Sequence, residues 1–306
     1  MSTPQLRETI TYCLPELQSD SDEVRQKVLQ TLDSITKVSP QARTLLAQTN
    51  GAISALLDLS KSASPIIQTL SLSILFNLSL NPDLKLSLAD MGTIQLLNAV
   101  IVSPASPESR KLASSLICSL AMLDKNKAKF GVAGTVQLLV QEVSAPNVSA
   151  GHHLLSSLSE LVQFHGNCTL ALRSGAVAIL IQFIRNTETE DLAATSLAVL
   201  GLLARFDEGL NALRKTEQIV SSMFDVLKGG CMFSKEGAAE ILIRLFDESE
   251  GCVRDAMRLP ESSSVLADLS IRGSPKARER AVQLMKKMME ADLKSYGDGN
   301  TMFYQW

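Results

Sequence analysis

The chain has 306 residues, of which 45% are hydrophobic, 20% charged and only 4% aromatic, with a formal net charge of −3. That apolar content excludes an intrinsically disordered chain. The lack of a basic excess argues against a nucleic-acid partner. No apolar run reaches the roughly 18–20 residues that a bilayer span requires, so no membrane partner is expected.

In chain order, the opening stretch from Met1 to Ser21 carries Pro4, Arg7, Glu8, Pro15 and Glu16 and lacks the apolar core of a secretory signal. The five cysteines, Cys13, Cys118, Cys168, Cys231 and Cys252, are scattered and odd in number. They read as reduced thiols of a cytoplasmic or nuclear protein. The N-x-S/T triplets at Asn77, Asn147 and Asn167 then read as chance matches.

From residue 39 onward the chain repeats itself. Gly51, Gly92, Gly134 and Gly175 each precede an apolar segment, and Glu217 and Glu261 hold the corresponding place further on. The interval of 41–44 residues between them falls in the range of two- and three-helix repeats. Each unit is predicted to hold three helices. A short first one, such as 82–89 or 126–131, ends at the glycine, whose missing Cβ is expected to let two helices meet closely. The second carries apolar residues at helical spacing (Ile53, Leu56, Leu57; Val136, Leu139, Val143). A polar loop with Ser or Pro follows, and then the longest helix, with Pro65 at a tolerated first-turn position and Glu108, Glu190 and Asp191 near the positive ends of their helices. Seven units result, at about 1–38 (without its first helix), 39–80, 81–123, 124–164, 165–206, 207–248 and 249–291. Residues 292–306 break the pattern and are expected to form a disordered C-terminal tail. Units that stack bury their apolar faces only against their neighbours. The chain is therefore all-α, with a repeat domain over 1–291.

Three strings carry a resemblance to a known family: Leu75-Phe-Asn-Leu-Ser-Leu, Leu123-Asp-Lys-Asn-Lys-Ala-Lys and Leu200-Gly-Leu-Leu-Ala-Arg-Phe-Asp-Glu-Gly. With the mid-unit Gly-Ala-Ile/Val-x-x-Leu-Leu, the chain resembles armadillo repeat proteins, and within them the repeat region of plant U-box armadillo proteins. The resemblance covers about residues 5–291. It implies a right-handed armadillo-type α-solenoid and a protein-binding function, with the third helices lining a concave groove. The family's U-box recruits a ubiquitin-loaded E2 enzyme and carries Cys-Pro-Ile and Asp-Pro-Val stretches. Neither occurs here, and the first repeat begins by about residue 6. A non-catalytic scaffold or adaptor is therefore expected, without cofactor, acting as a monomer on protein partners, in ubiquitin-dependent regulation. The alternatives are the substrate-recognition part of a U-box-type ubiquitin ligase and, less favoured, a nuclear transport adaptor.

In armadillo proteins that bind extended peptides, an Asn near the end of each third helix clamps the peptide backbone. The corresponding series here is Ser34, Asn77, Ser119, Glu160, Leu202, Arg244 and Lys287. Only Asn77 keeps the family residue, and the tryptophans of nuclear-import receptors are missing. One and two turns earlier lie His153, Glu240, Arg280 and Gln283. The candidate partner-binding residues are thus Ser34, Asn77, Ser119, His153, Glu160, Glu240, Arg244, Arg280, Gln283 and Lys287. Their C-terminal members look basic enough to dock an acidic segment. The His152-His153 pair and His165-Gly-Asn-Cys168 lack the four converging ligands of a zinc site. Lys228-Gly-Gly-Cys231 lacks the frame of a phosphate loop, and no nucleophile has a supporting motif. The aromatic tail, with Tyr296, Phe303, Tyr304 and Trp306, is read as a frayed end, with docking into a groove as the alternative.

Overall fold

The computed structural model describes residues 2–145, 150–186 and 190–300, the backbone alone for 190, 191 and 294–300. The Asn147 triplet, the side chains of Glu190, Asp191 and Tyr296, and Phe303, Tyr304 and Trp306 lie outside the described residues. Among the described residues every regular element is a helix, and no single helix is long and apolar enough to cross a membrane.

The chain divides into two compact bodies, residues 1–170 and 171–306. The first begins with α1 (Thr3–Glu16) and α2 (Asp22–Val38), followed by α3 (Pro40–Gln48), α4 (Ala52–Leu59) and α5 (Pro65–Ser79). A 3-10 turn (Pro82–Leu84) then leads into α6 (Lys85–Leu88), α7 (Met91–Val102) and α8 (Pro107–Ala121). α9 (Asp124–Val132), α10 (Thr135–Val143) and α11 (Gly151–Leu161) complete it, and α12 (His165–Arg173) contains the boundary. The second body holds α13 (Ala176–Arg185) and α14 (Glu190–Leu203), then α15 (Asp207–Arg214), α16 (Ile219–Gly229) and α17 (Met232–Glu248), then α18 (Glu250–Arg258), α19 (Ser262–Arg272) and α20 (Pro275–Asn300). α20 runs nine residues beyond 291, so the backbone of 292–300 is helical where the sequence suggested a disordered tail; residues 301–306 lie outside the described residues.

Helix starts are written locally. Ser39-Pro40, Ser106-Pro107 and Ser274-Pro275 each place a hydroxyl at the N-cap and a proline in the first turn. The hydroxyls accept from the amides of Ala42, Ser109 and Ala277, each at 3.1 Å. The cap satisfies an otherwise orphaned donor and the proline has no donor to lose. Long third helices then pack side by side: α2, α5, α8 and α11 in the first body, and α14, α17 and α20 in the second. Their inner faces bury Leu29, Leu32, Leu72, Leu75 and Ile117 in the first, and Leu200, Leu242, Leu245 and Leu284 in the second, all at 1% exposure or less.

The glycine turns differ from the sequence expectation in their cause. Gly51, Gly134 and Gly175 adopt φ of 80°, 76° and 80°, and a Cβ at any of them would meet nothing within 4 Å. Left-handed backbone, and not close helix approach, is what requires glycine there. Gly134→Val should therefore lower stability by about 2–3 kcal/mol through backbone strain at a β-branched residue. Gly134→Asn should cost less than half as much in the same thermal melts. In the next-to-last unit it is Gln218, one residue past the aligned Glu217, that takes this role at φ 56°, the one non-glycine with positive φ among the described residues. Gln218→Gly is expected to raise the stability by up to about 1 kcal/mol, read as a higher midpoint in urea.

Gly92 does not turn the chain at all. α7 begins at Met91, and Asp90 caps it, accepting from the Thr93 amide at 3.0 Å and the Thr93 hydroxyl at 2.7 Å. Partial burial works to raise the Asp90 pKa, but these hydrogen bonds outweigh it and hold the carboxyl below its ordinary value. A depressed folded-state pKa means stability that is present above the ordinary carboxylate value and lost as pH falls through the folded one. Asp90→Ala should thus cost about 1–2 kcal/mol at pH 7, and the gap between the two proteins should narrow in melts carried down to about pH 2.5.

Candidate functional site

In the first body the third helices meet through small polar side chains spaced one repeat apart. Ser73 donates to Asp33 at 2.6 Å. Asn77 donates to Asp33 and to the Thr36 hydroxyl, both at 3.2 Å. The Ser79 hydroxyl donates to Ser119 at 2.8 Å, and the Ser157 hydroxyl to the Ser114 carbonyl at 2.6 Å. Ser115 and His153 Nδ1 lie 3.2 Å apart. Hydroxyls and amides suit this place because they let helices approach closely while satisfying one another in a partly dry environment.

This arrangement redefines the predicted site residues. Asn77 and Ser119 are buried, at 6% and 5% exposure. The Asn77 amide that would clamp a peptide is already donated to the neighbouring helix. Ser119 accepts from Lys85 Nζ at 3.0 Å, and the Ser119 carbonyl accepts from the same ammonium. Burial lowers the pKa of Lys85. His153 is half-buried; burial first, then the charge of His152, hold its pKa below the ordinary value, so it is neutral at pH 7. Burial and the nearby Glu160 push the thiol of Cys118 up to about 11, where no reactive thiolate forms near neutrality. Glu160 accepts from Gln163 at 3.2 Å and lies 3.8 Å from the buried Lys127. Ser34 is exposed and donates to the Gln30 carbonyl at 2.8 Å.

The second body keeps its charges on the same helix faces and pairs most of them. Arg244 donates to Glu240 at 3.1 Å one turn away on α17, and Arg280 of α20 bonds the same carboxylate and the Glu236 carbonyl, the latter at 2.8 Å. Lys287 pairs with Asp247. Gln283 is exposed. The basic face that the sequence suggested is therefore largely neutralised from within. The i,i+4 pair Glu240–Arg244 is visible in the sequence, but the other two pairs need the register between helices 40 residues apart. Among the described residues no three of His, Cys, Asp and Glu gather closely enough to hold a metal.

Sequence reasoning missed a second polar ladder. The buried Asn126 and Asn167 sit at the third residue of α9 and α12, 41 residues apart. Asn126 Nδ2 donates to the carbonyls of Lys85 (2.9 Å) and Leu120 (3.0 Å). Asn167 Nδ2 donates to those of Lys127 (2.9 Å) and Leu161 (3.0 Å). Each amide thus ties the end of one third helix to the first helix of its own repeat through the first helix of the next. The signal was an Asn recurring two residues into two short helices. One copy lies inside His165-Gly-Asn-Cys168, between residue types that also serve as metal ligands.

A model of the plant U-box protein ARM repeat region matches residues 10–296. U-box domain-containing protein 1 of Medicago truncatula is 32% identical over 118 residues, 38% of this chain and 17% of that protein. U-box domain-containing protein 17 of Arabidopsis thaliana is 26% identical over 133 residues, 43% of this chain and 18% of that protein. The chain thus matches less than a fifth of the length of either relative. Among solved structures, an engineered protein superposes with a TM-score of 0.79 at 16% identity, covering 95% of this chain and 72% of its own. A computationally designed armadillo repeat protein for modular peptide recognition gives 0.67 at 17% identity, covering 79% and 99%. At these identities the likeness is one of fold, and that fold is the armadillo-type α-solenoid.

Proposed function

The chain belongs to the plant U-box protein ARM repeat family, and we propose that it is a non-catalytic scaffold or adaptor that binds a protein partner across the exposed face of its third helices. The observation that carries this reading is the side-by-side packing of those helices in each body, across which polar and charged side chains of successive repeats meet, as Ser73 with Asp33 and Arg280 with Glu240. Stacked repeats turn spacing along the chain into a ladder of contacts in space, the arrangement an extended binding surface needs. The two relatives named as U-box domain-containing proteins support a role in ubiquitin-dependent regulation, with the chain supplying recognition. The burial and internal bonding of Asn77 weigh against the peptide-clamping mode of a nuclear transport adaptor.

The test is affinity capture from a plant extract followed by hydrogen-exchange mapping of the reconstituted complex. Protection concentrated on α2, α5, α8 and α11 or on α14, α17 and α20 is the expected result. Protection confined to the first and second helices would overturn the reading. Ubiquitin conjugation by this chain with E1 and E2 alone would overturn its non-catalytic part and favour a ubiquitin-ligase component.

A further inference from the structure

A groove of about 350 Å³ lies over α14, α17 and α20 within the second body. Leu197, Gly201, Leu202 and Gly237 line its apolar part, with the 65%-exposed Phe233 beside them. Arg205, Arg244, Lys276 and Arg280 line it against two carboxylates, Glu236 and Glu240, so the lining carries two positive charges in excess. The carboxylates are already engaged. Glu240 holds Arg244 and Arg280, and Glu236 accepts from the Ser274 hydroxyl at 2.5 Å. Arg205 and Lys276 are exposed and make no ion pair among the described residues.

Two glycines supply a second, independent observation. Gly201 and Gly237 stand inside helices, where glycine is worse than alanine. Packing requires neither: a Cβ at 201 would meet nothing within 4 Å, and one at 237 would meet only the Leu197 Cβ at 3.8 Å. Both leave the floor of the groove low, which admits a chain lying directly against the helix backbones.

We propose that this groove docks a short acidic segment of a partner protein, with one large apolar side chain flanked by carboxylates. The apolar side chain sits on Leu202 and Phe233, the segment's backbone passes over Gly201 and Gly237, and its carboxylates reach Arg205 and Lys276. The proposal rests on the protein-binding reading above and narrows it to one site and one partner chemistry.

The experiment is fluorescence anisotropy on the full chain with three fluorescein-labelled twelve-residue peptides and a labelled oligothymidine of matched charge. The first peptide carries a central Phe among Asp and Glu, the second replaces the Phe with Ala, and the third sets the Phe among Lys. The first should bind at least about tenfold more tightly than the other two and weaken with added salt. Arg205→Glu combined with Lys276→Glu should lose about tenfold in affinity for the first peptide, and Gly201→Leu should lose it by filling the floor. Thermal melts check that each variant stays folded; if Gly201→Leu does not, the charge-reversal pair decides alone. Equal binding of the acidic and basic peptides, equal binding of the oligonucleotide, or unchanged affinity in the folded charge-reversal variant would overturn the site. Captured partners that bind the charge-reversal variant undiminished would also overturn it while leaving the scaffold reading intact. A wild-type chain that retains no protein partner at all would overturn the scaffold reading itself.

Discussion

Gly209→Ala should be among the most damaging single-methyl additions in this protein, lowering its stability by about 3–5 kcal/mol. Gly209 is the third residue of α15, and a Cβ there would lie 2.0 Å from the carbonyl oxygen of Leu203 and 2.6 Å from its carbon. That neighbour is backbone at the end of α14, so no rotamer change relieves the overlap. Either α15 moves by more than an ångström or the last turn of α14 opens. Leu203 on α14 and Leu213 on α15 are both at 0% exposure, so either movement exposes or misfits buried apolar surface. A chemical-denaturation midpoint that changes by less than about 1 kcal/mol would show that α15 is not pressed onto α14 in this way. Gly201→Ala serves as the contrast. A Cβ at 201 meets open space, and alanine should raise stability by up to about 1 kcal/mol by improving a helix interior.

The contrast marks the limit of what the sequence could reveal. The 41–44-residue spacing and the 3.6-residue apolar pattern depend on the chain alone, and they were enough for an all-helical repeat fold; the family came from the resemblance carried by strings such as Leu75-Phe-Asn-Leu-Ser-Leu. Which glycine is needed, and why, depends on what stands across from it. Gly51, Gly134 and Gly175 look like Gly92 in an alignment of repeats, yet the first three take left-handed backbone while the fourth lies inside a helix capped by Asp90. Glu217 aligned with the glycines by count, but the turn falls on Gln218 because the loop before α16 starts its helix one residue later. The site residues were harder still. Asn77 kept the family identity and lost its availability, because Asp33 and Thr36 of the preceding repeat reach it. Arg280 and Lys287 looked like free positive charge because Glu240 and Asp247 stand 40 residues earlier in the chain and one helix away in space.

Asn167→Ala is expected to destabilise by about 3 kcal/mol, because two buried carbonyls lose a shared donor at once. The residue is 1% exposed, and its Nδ2 serves the Lys127 and Leu161 carbonyls at 2.9 and 3.0 Å. Its other amide atom makes a further demand. Oδ1 rests on Gly131, where an added Cβ would come within 2.1 Å of it. The side chain cannot rotate away from such a methyl without abandoning both hydrogen bonds, so Gly131→Ala should cost nearly as much as losing the amide. The two substitutions act on one contact and should not add. In the double variant the shortened side chain no longer meets the new methyl, and the combined loss should fall short of the sum by at least about 1 kcal/mol. A double-mutant cycle by urea denaturation reads that coupling directly, and strict additivity would mean that Asn167 and Gly131 do not meet. Asn126 gives the comparison within the same fold: it makes the same pair of bonds to Lys85 and Leu120, but its Oδ1 is buried without a partner. Asn126→Ala removes that unsatisfied atom together with the bonds, so it should be the milder of the two losses.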